Sequence, residues 1–406
     1  MKRLLCVATA VAMFLPVAVR AEEARVIHWW TSGGESDAIK VIADAYKSDG
    51  GTWIDQAIAG SDSARLAATN AISGGQPPTM AQFNISNQFR ELAEASFLRS
   101  LDDVAADENW QAVLPGPILD VITVDGHIYA APVNIHNPAW IWYSTEALQK
   151  AQVSEPPTTK NAFFTALDKL KSAGIIPLAL GGQPWQERAT FDAVLLHFGG
   201  KDMYMNFIGG NGAALVQTPE FKQVLADFKR LKGYVDEGSP NRSWNEATAL
   251  VIENKAGFQI MGDWAKGEFK AAGDTAGKEY GCIVGFGDKP SYMIAGDVFI
   301  FPKSNESDTA AQTHLAKLML SPKVQVDFNN LKGSIPVRAG VDGSNMDVCA
   351  QAGLAAVSDP SRQVPNPEMR LSPDAHGMVT DAISNFWNTD QSVDEAVAAL
   401  QSALSM

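Results

Sequence analysis

The stretch of residues 26–35 holds the residue types best suited to bind a small polar molecule. Trp29 and Trp30 stand at the end of a short apolar run, and a polar turn then leads to the carboxylate of Glu35. A tryptophan offers a large flat apolar face and one N–H donor, and an ionised glutamate accepts hydrogen bonds. These side chains therefore suit a molecule that has both apolar faces and hydroxyl groups, as a sugar has.

The same pair of tryptophans could instead fill a hydrophobic core. Successive strand residues point to opposite faces, so only one of the two rings enters a core in the ordinary way unless both faces of the sheet are covered. The stretch alone leaves core packing and ligand binding as equal alternatives. It also leaves open which ring, Trp29 or Trp30, would face a ligand.

Sequence patterns typical of enzymes are missing. The chain has no G-x-S-x-G, H-E-x-x-H or C-x-x-C pattern and no dinucleotide-binding glycine pattern. Its histidines are scattered without the spacing of metal ligands on a helix, so we predict no metal, no cofactor and no catalytic residue. A glycosidase needs two carboxylates, and Glu35 with Asp297 or Asp263 could formally serve. A secreted carbohydrate-active enzyme is therefore the alternative hypothesis.

The first 21 residues have the pattern of a secretory signal peptide. Lys2 and Arg3 precede an apolar run that continues to about Val19, and small residues lead to a cut near Ala21. No second apolar stretch of comparable length follows, so we predict an exported protein without a transmembrane helix. Removing three basic residues with the leader changes the formal charge from −14 to −17. This acidity disfavours nucleic acids and anionic membranes as partners.

Two cysteines remain after the leader is removed, Cys282 and Cys349. They either form a disulfide or stay as separate buried thiols, and the exported context slightly favours the disulfide.

The elements around the tryptophan stretch alternate between strand and helix. Apolar residues at helical spacing predict a helix from about Ser36 to the Gly50-Gly51 stop, and further patterns predict a strand over 52–58, a helix over 63–73 and a strand over 80–83. This order predicts a mainly parallel sheet flanked by helices. Ligands of such sheets bind beyond the carboxyl ends of strands, where Trp29, Trp30 and Gln82 fall.

A second set of elements follows a predicted hairpin. The hairpin spans 122–130, with Asp125-Gly126 as its turn, and Pro132 marks the change. Strands are predicted over 175–180, 257–261 and 295–301, and helices over 160–173, 187–198, 219–234, 244–253, 309–320, 322–331 and 393–404. Residues 340–373 are predicted to be mostly loop. A mature length of about 385 residues favours two or three domains.

Several ordered motifs resemble those of periplasmic sugar-binding proteins of ABC importers, over nearly the full mature length. They are DGHIYAAPVN at 125–134, PPT at 156–158, GFQIMGDW at 257–264 and GSIPVR at 333–338. The Trp-Trp-x-x-Gly-Gly-Glu start is similar to that of the glucose- and mannose-binding members.

The resemblance implies an α/β fold of the two-lobe, type II-like periplasmic-binding-protein kind, with the ligand cleft between the lobes. Lobe 1 would comprise residues 22–132 and 297–335, and lobe 2 would comprise residues 134–295 and 338–406. The chain would cross between them near 132–134, 295–297 and 333–338.

The resemblance also implies a ligand, a site and partners. The ligand would be a monosaccharide, glucose or a close aldohexose, and the partners would be an inner-membrane ABC permease and, as a further candidate, a chemoreceptor. The protein would be monomeric and periplasmic. The binding residues carried over from the family are Trp29, Trp30, Glu35, Gln82, Trp264, Asp297, Lys332 and His376. In this set the tryptophans would stack on the sugar ring, Glu35 and Asp297 would accept hydrogen bonds from its hydroxyls, and Gln82, Lys332 and His376 would donate.

Overall fold

The computed structural model describes residues 22–304 and 306–405, so the predicted signal peptide lies outside the described residues. The α/β class is confirmed. The strands are β1 (Glu23–His28), β2 (Thr52–Ala57), β3 (Met80–Asn84), β4 (Thr123–Val124), β5 (His127–Ile128), β6 (Ala130–Pro132), β7 (Ile141–Ser144), β8 (Ile176–Ala179), β9 (Ala256–Ile260), β10 (Tyr280–Ile283), β11 (Tyr292–Ile294), β12 (Asp297–Ile300) and β13 (Gln363–Pro365).

Helices pack on the faces of the sheets. They are α1 (Gly33–Ser48), α2 (Ser61–Ser73), α3 (Arg90–Glu94), α4 (Asp102–Asp107), α5 (Trp110–Val113), α6 (Gly116–Ile122), α7 (Thr145–Lys150), α8 (Lys160–Ser172), α9 (Pro184–Val194), α10 (Gly200–Ile208), α11 (Gly212–Leu215), α12 (Pro219–Leu231), α13 (Trp244–Ile252), α14 (Ala265–Ala271), α15 (Glu306–Met319), α16 (Pro322–Lys332), α17 (Val348–Val357), α18 (Pro373–Asn388) and α19 (Val393–Ala403). None of the helices in the described part of the chain is long and apolar enough to span a bilayer.

Two main sheets organise the chain. The first has the order β2-β1-β3-β12-β6 and the second the order β10-β7-β9-β8. As the strand and helix order predicts, β1 pairs in parallel with both β2 and β3. The expectation of mainly parallel sheets needs a correction, because β12 is antiparallel to β3 and β6, and β7 is antiparallel to β9 and β10. Strands joined through a helix run parallel, whereas β12 enters the first sheet directly from the other half of the chain.

Two hydrophobic cores fill the interior. The first core packs on the first sheet and also includes residues of the second sheet, such as Trp142 of β7 and Tyr280 of β10, whereas the second core packs on the second sheet. In the second core, the apolar face of α8 is buried, and its Phe163 ring packs edge-on against Phe258 of β9 at 5.2 Å between centroids. The predicted hairpin is also confirmed, since β4 and β5 pair around Asp125 and Gly126, which both have positive φ.

Three backbone segments lie side by side between the two sheets. Ile135 exchanges backbone hydrogen bonds with Ile335 at 2.9 and 3.1 Å, and His136 exchanges them with Ala295 at 2.8 and 2.9 Å. The segment from Val133 to His136 leads from β6 of the first sheet to β7 of the second. These crossing segments therefore fix the two sheets relative to each other at one place.

The two cysteines are paired. Cys282 of β10 and Cys349 of α17 form a disulfide that spans 67 residues of sequence. The disulfide links the second sheet to residues 340–373, which were predicted to be mostly loop but contain the ten-residue helix α17.

Two helix starts differ from the sequence prediction. Helix α1 begins at Gly33 rather than near Ser36, because the Gly34 N–H donates to the Glu268 carboxylate of α14 at 2.9 Å. Helix α18 was missed, although Ser372 caps it and Pro373 occupies its first turn. The Ser372-Pro373 pair is a helix-start signal, but the preceding residues are rich in proline and glycine and were therefore predicted to be loop.

Candidate functional site

The two adjacent tryptophans point in different directions. The Trp30 ring is 1% exposed and packs against Phe299 and Phe328, with centroids 5.7 and 5.2 Å away. The Trp29 ring is only partly buried, and the guanidinium of Arg65 lies 5.7 Å from its centroid. Just after the end of β1, Trp30 therefore lies in the first core, and Trp29 has the more accessible face.

Glu35 and Lys332 form a buried ion pair beside these rings. Lys332 Nζ donates to Glu35 Oε1 at 3.1 Å, and the two side chains are 2% and 9% exposed. The same ammonium group lies 5.7 Å from the Trp30 ring centroid and 5.9 Å from that of Trp264. An acceptor, a donor and two aromatic faces therefore meet within one water-poor volume, where charged hydrogen bonds are strong.

Asp297 is the centre of a second polar group. Gln82 donates to its Oδ1 at 3.1 Å, and the Asn134 side-chain amide donates to its Oδ2 at 2.9 Å. The other end of Gln82 accepts the Trp29 backbone N–H at 3.0 Å, so the amide is held in one orientation. His136 Nε2 lies 2.9 Å from Asp297 Oδ2. All of these side chains except that of Trp29 are buried.

His136 continues this group into the second half of the chain. Its Nδ1 is hydrogen bonded to Asp263, whose other carboxylate oxygen accepts the Asn137 N–H at 3.0 Å. Burial lowers the pKa of His136, but the charge of Asp263 and the hydrogen bonds to both aspartates outweigh this effect, so the pKa lies above its ordinary value. Burial likewise raises the pKa of Asp297, but bonds from His136 and Asn134 bring it below its ordinary value.

Trp264 joins the two polar groups. Its ring lies edge-on to His136, with centroids 5.2 Å apart, and close to Lys332 as described above. Trp185 stands beside it at 6.3 Å. The structure therefore brings seven of the predicted site residues into one network, namely Trp29, Trp30, Glu35, Gln82, Trp264, Asp297 and Lys332.

His376 stands apart from this network. It lies in the first turn of α18, with Nε2 3.8 Å from Glu368 Oε1, and its carbonyl accepts from Arg188 at 3.3 Å. Burial and the nearby charges of Arg188 and Arg65 lower its pKa to about 3. Arg65 also lies over the Trp29 ring, so His376 is on the Trp29 side of the site. With this low pKa, His376 is a neutral imidazole at neutral pH.

From the sequence, Asn134 and His136 are only weaker candidates outside the core set of binding residues, and Asp263 is only a formal catalytic carboxylate. One signal strengthens the first two, since they alternate with Val133 and Ile135 in a fully buried extended segment, where polar side chains need partners. Arg65, which covers one side of Trp29, carried no such signal.

The arrangement favours binding over hydrolysis. A glycosidase acid needs a carboxyl whose pKa is raised, whereas that of Asp297 is lowered, and Glu35 is paired with Lys332. Among residues 22–304 and 306–405, no cluster of three or more His, Cys, Asp or Glu side chains is arranged to hold a metal ion.

Two α/β sheets are joined by adjacent crossing segments and by a buried polar and aromatic network. This arrangement defines a two-lobe binding protein. The family of bacterial extracellular solute-binding proteins matches residues 31–326, which is more than half of the chain. The chain belongs to this family.

Relatives match along almost the whole chain. A probable sugar-binding periplasmic protein of Rhizobium meliloti is 36% identical, with 98% of each chain covered. A protein of the same description from Brucella suis is 37% identical, over 96% of this chain and 94% of its own. Among solved structures, a chitin oligosaccharide binding protein superposes with a TM-score of 0.79 at 18% identity, covering 95% of this chain and 98% of its own. Maltose-bound MalE3 of T. maritima gives 0.80 at 17% identity, over 94% and 99%. These two structures share the two-lobe fold, which is thereby confirmed.

Proposed function

We propose that this protein is the periplasmic sugar-binding component of an ABC importer, and that it captures a monosaccharide, glucose or a close aldohexose such as mannose, for delivery to an inner-membrane permease. The observation that carries the proposal is the buried network of Asp297, Gln82, Glu35 and Lys332. The Trp264 ring lies beside Lys332, and the Trp29 backbone is bonded to Gln82. The names of the full-length relatives, which are periplasmic sugar-binding proteins, support the same class of ligand.

The chemistry of the network matches a pyranose. Sugar hydroxyls both donate and accept, so they need carboxylates and ammonium or amide groups at the same place. The apolar C–H faces of the ring need a flat aromatic partner, and the partly exposed Trp29 ring is our candidate for that contact. Trp30 is buried and contacts the sugar only indirectly, because its ring packs beside the Lys332 ammonium group.

The lobe assignment is part of the proposal. Lobe 1 would comprise residues 22–132 and 297–335, lobe 2 residues 134–295 and 338–406, and the sugar would lie between them near the crossing segments. A hexose has about 12 heavy atoms, so micromolar binding needs roughly 0.7 kcal/mol per atom, below the ceiling of ~1.5 for small ligands. Such efficiency requires near-complete enclosure, which closure of two lobes would supply and which a permease could recognise.

Calorimetric titration of the mature protein with glucose, mannose, galactose, xylose and maltose tests the proposal. We expect one-to-one binding of an aldohexose at micromolar affinity or better, and chromatography of the mixture should recover the sugar unchanged. Absence of saturable binding across the panel would overturn the sugar proposal, and cleavage of maltose would favour the enzyme alternative.

A pair of matched variants tests the location of the site. Asp297→Asn keeps the shape of the side chain but removes its charge, so we expect at least a tenfold loss of affinity. Asp103→Asn makes the same chemical change on the exposed surface of α4 and should bind like the unmodified protein. Equal affinities in the two variants would show that the sugar binds elsewhere.

A further inference from the structure

We propose that His136 is a positioning residue for sugar binding, which as a doubly protonated imidazolium holds the carboxylates of Asp297 and Asp263 together across the crossing segments. We call this arrangement the Asp297–His136–Asp263 bridge. The inference rests on the proposed function, because it assigns His136 the task of orienting Asp297 for the sugar.

The hydrogen-bond geometry favours a ring that donates from both nitrogens. Each nitrogen faces a carboxylate oxygen, and an ionised carboxylate only accepts. A neutral imidazole has one N–H and one ring-nitrogen lone pair, so that lone pair would be directed at an anionic oxygen. The Asn134 amide, 3.0 Å from Nε2, could donate to this lone pair in the neutral ring, whereas beside the charged ring it donates to Asp297 Oδ2 at 2.9 Å. A charged His136 donates from Nε2 to Asp297 Oδ2 at 2.9 Å and offsets one of the two buried negative charges.

The bridge leaves one acceptor position of the Asp297 carboxylate unused by the described part of the chain. A carboxylate has about four acceptor positions, and Gln82, Asn134 and His136 fill three of them. The remaining position is on Oδ1, which accepts only from Gln82 among the bonds described. Loss of the His136 donor would let the Asp297 carboxylate rotate, and its free acceptor position would no longer face the sugar.

The bridge also connects the two halves of the chain. Asp297 begins β12 of the first sheet, Asp263 follows β9 of the second, and His136 lies on the segment between β6 and β7. The backbone of His136 pairs with Ala295, two residues before Asp297. Movement of one sheet against the other therefore acts on the same side chains that orient Asp297.

The charged groups around His136 determine how its ionisation responds to pH. Asp263 and Asp297 are in direct contact with the ring, and Lys332 of α16, which is paired with Glu35, opposes its protonation. Lys266 of α14 is paired with Asp347 at 2.9 Å. The Tyr292 hydroxyl is the remaining facing group, and burial raises its pKa well above the ordinary value. Burial and Lys332 lower the pKa of His136, but the two direct carboxylates outweigh them, so the pKa lies above its ordinary value. The geometry of the bridge favours the charged ring, and sugar affinity should therefore fall as the pH rises through the raised pKa of His136.

Proton NMR of the histidine rings in the full mature chain measures the charge of His136 directly. His136→Gln identifies its signal by removing it. We expect the signal to show the protonated form at pH 7 and to titrate above the ordinary histidine value of 6.5. A titration midpoint below 6.5 would overturn the inference whether or not any sugar binds, so this arm is independent of the proposed function.

Two substitutions separate the two ends of the bridge. The His136→Gln amide can occupy the place of Nε2 and keep the donor to Asp297, whereas His136→Asn can replace only Nδ1 and keeps the donor to Asp263. We expect glucose affinity, by calorimetry at pH 7, to fall at least tenfold in His136→Asn and less than threefold in His136→Gln. The affinity of His136→Gln should also lose its dependence on pH above 7.

The matched control is His197→Gln, which replaces a partly buried histidine that donates to the Ala139 carbonyl at 2.6 Å. Circular dichroism checks that every variant is folded, and His197→Gln should keep the sugar affinity of the unmodified protein. Unchanged affinity in a folded His136→Asn would overturn the positioning role. If the unmodified protein binds no sugar of the panel, the proposed function fails, and the positioning role fails with it, while the NMR titration still decides the ionisation of His136.

Discussion

The different surroundings of Trp29 and Trp30 predict opposite effects of two neighbouring substitutions. Trp30 is 1% exposed and its ring contacts Phe299 and Phe328, so Trp30→Ala leaves a cavity in the first core. Deleting a buried tryptophan side chain costs about 3–5 kcal/mol of the free energy of unfolding. Trp29 is partly exposed, and besides its packing it has a contact with Arg65 worth about 0.5–1 kcal/mol. Trp29→Ala should therefore cost about 1 kcal/mol of stability.

The order reverses for ligand binding. If the Trp29 face stacks on the sugar ring, Trp29→Ala should weaken glucose binding at least tenfold, or about 1.4 kcal/mol. Trp30→Ala should bind within a few-fold of the unmodified protein at temperatures where it is folded, because its ring acts through packing. Urea unfolding followed by far-ultraviolet circular dichroism gives the stability, and calorimetry gives the affinity.

A third variant controls for the loss of a buried tryptophan. Trp110 of α5 is completely buried, so Trp110→Ala should lose stability comparably to Trp30→Ala without a change in affinity. The reasoning would be refuted if Trp30→Ala unfolded like the unmodified protein but lost sugar binding while Trp29→Ala kept it.

Three further predictions concern buried charges and the disulfide. Lys332→Met should cost about 3–5 kcal/mol of the free energy of unfolding, because Glu35 is left buried without its partner. Adding Glu35→Gln should recover part of this cost, and a double variant no more stable than Lys332→Met would contradict the pairing. The unfolded, unreduced protein should show no free thiol in a dye assay, and Cys349→Ser should lower stability by about 2–4 kcal/mol since the closed loop spans 67 residues. Burial lowers the pKa of His197 to about 4, so below pH 6.5 the unfolded state binds a proton that the folded state does not. The free energy of unfolding should therefore fall between pH 6.5 and pH 4, by about 1.4 kcal/mol per pH unit. In urea unfolding of His197→Gln, the dependence of this free energy on pH should be weaker by the equivalent of about one proton.

Local patterns in the sequence predicted most of the framework. The alternation of strand and helix in the first 84 residues predicted the parallel pairing of β1 with β2 and β3, because each apolar run reports which face of its own element is buried. The Asp125-Gly126 turn was predicted from the preference of these residues for positive φ. The helix over 160–173 was predicted from its sequence pattern, and α8 occupies that place. The resemblance to sugar-binding proteins supplied the candidate residues and the family, which the comparisons confirm at the level of solute-binding proteins.

Local patterns fail where a contact joins distant parts of the chain. Helix α1 begins at Gly33 because Glu268, more than 230 residues away in sequence, accepts the free N–H of Gly34 in its first turn. The antiparallel entry of β12 into the first sheet likewise depends on the other half of the chain.

The same division holds for the tryptophan pair at the start of the site. The sequence determined that at most one of the two rings would be ordinary core, because neighbouring strand residues point to opposite faces. Only the tertiary structure decided that this ring is Trp30, since Phe299 and Phe328 come from β12 and α16. It also decided that His136 lies between Asp263 and Asp297, because side chains more than 120 residues apart meet only where the crossing segments pack together.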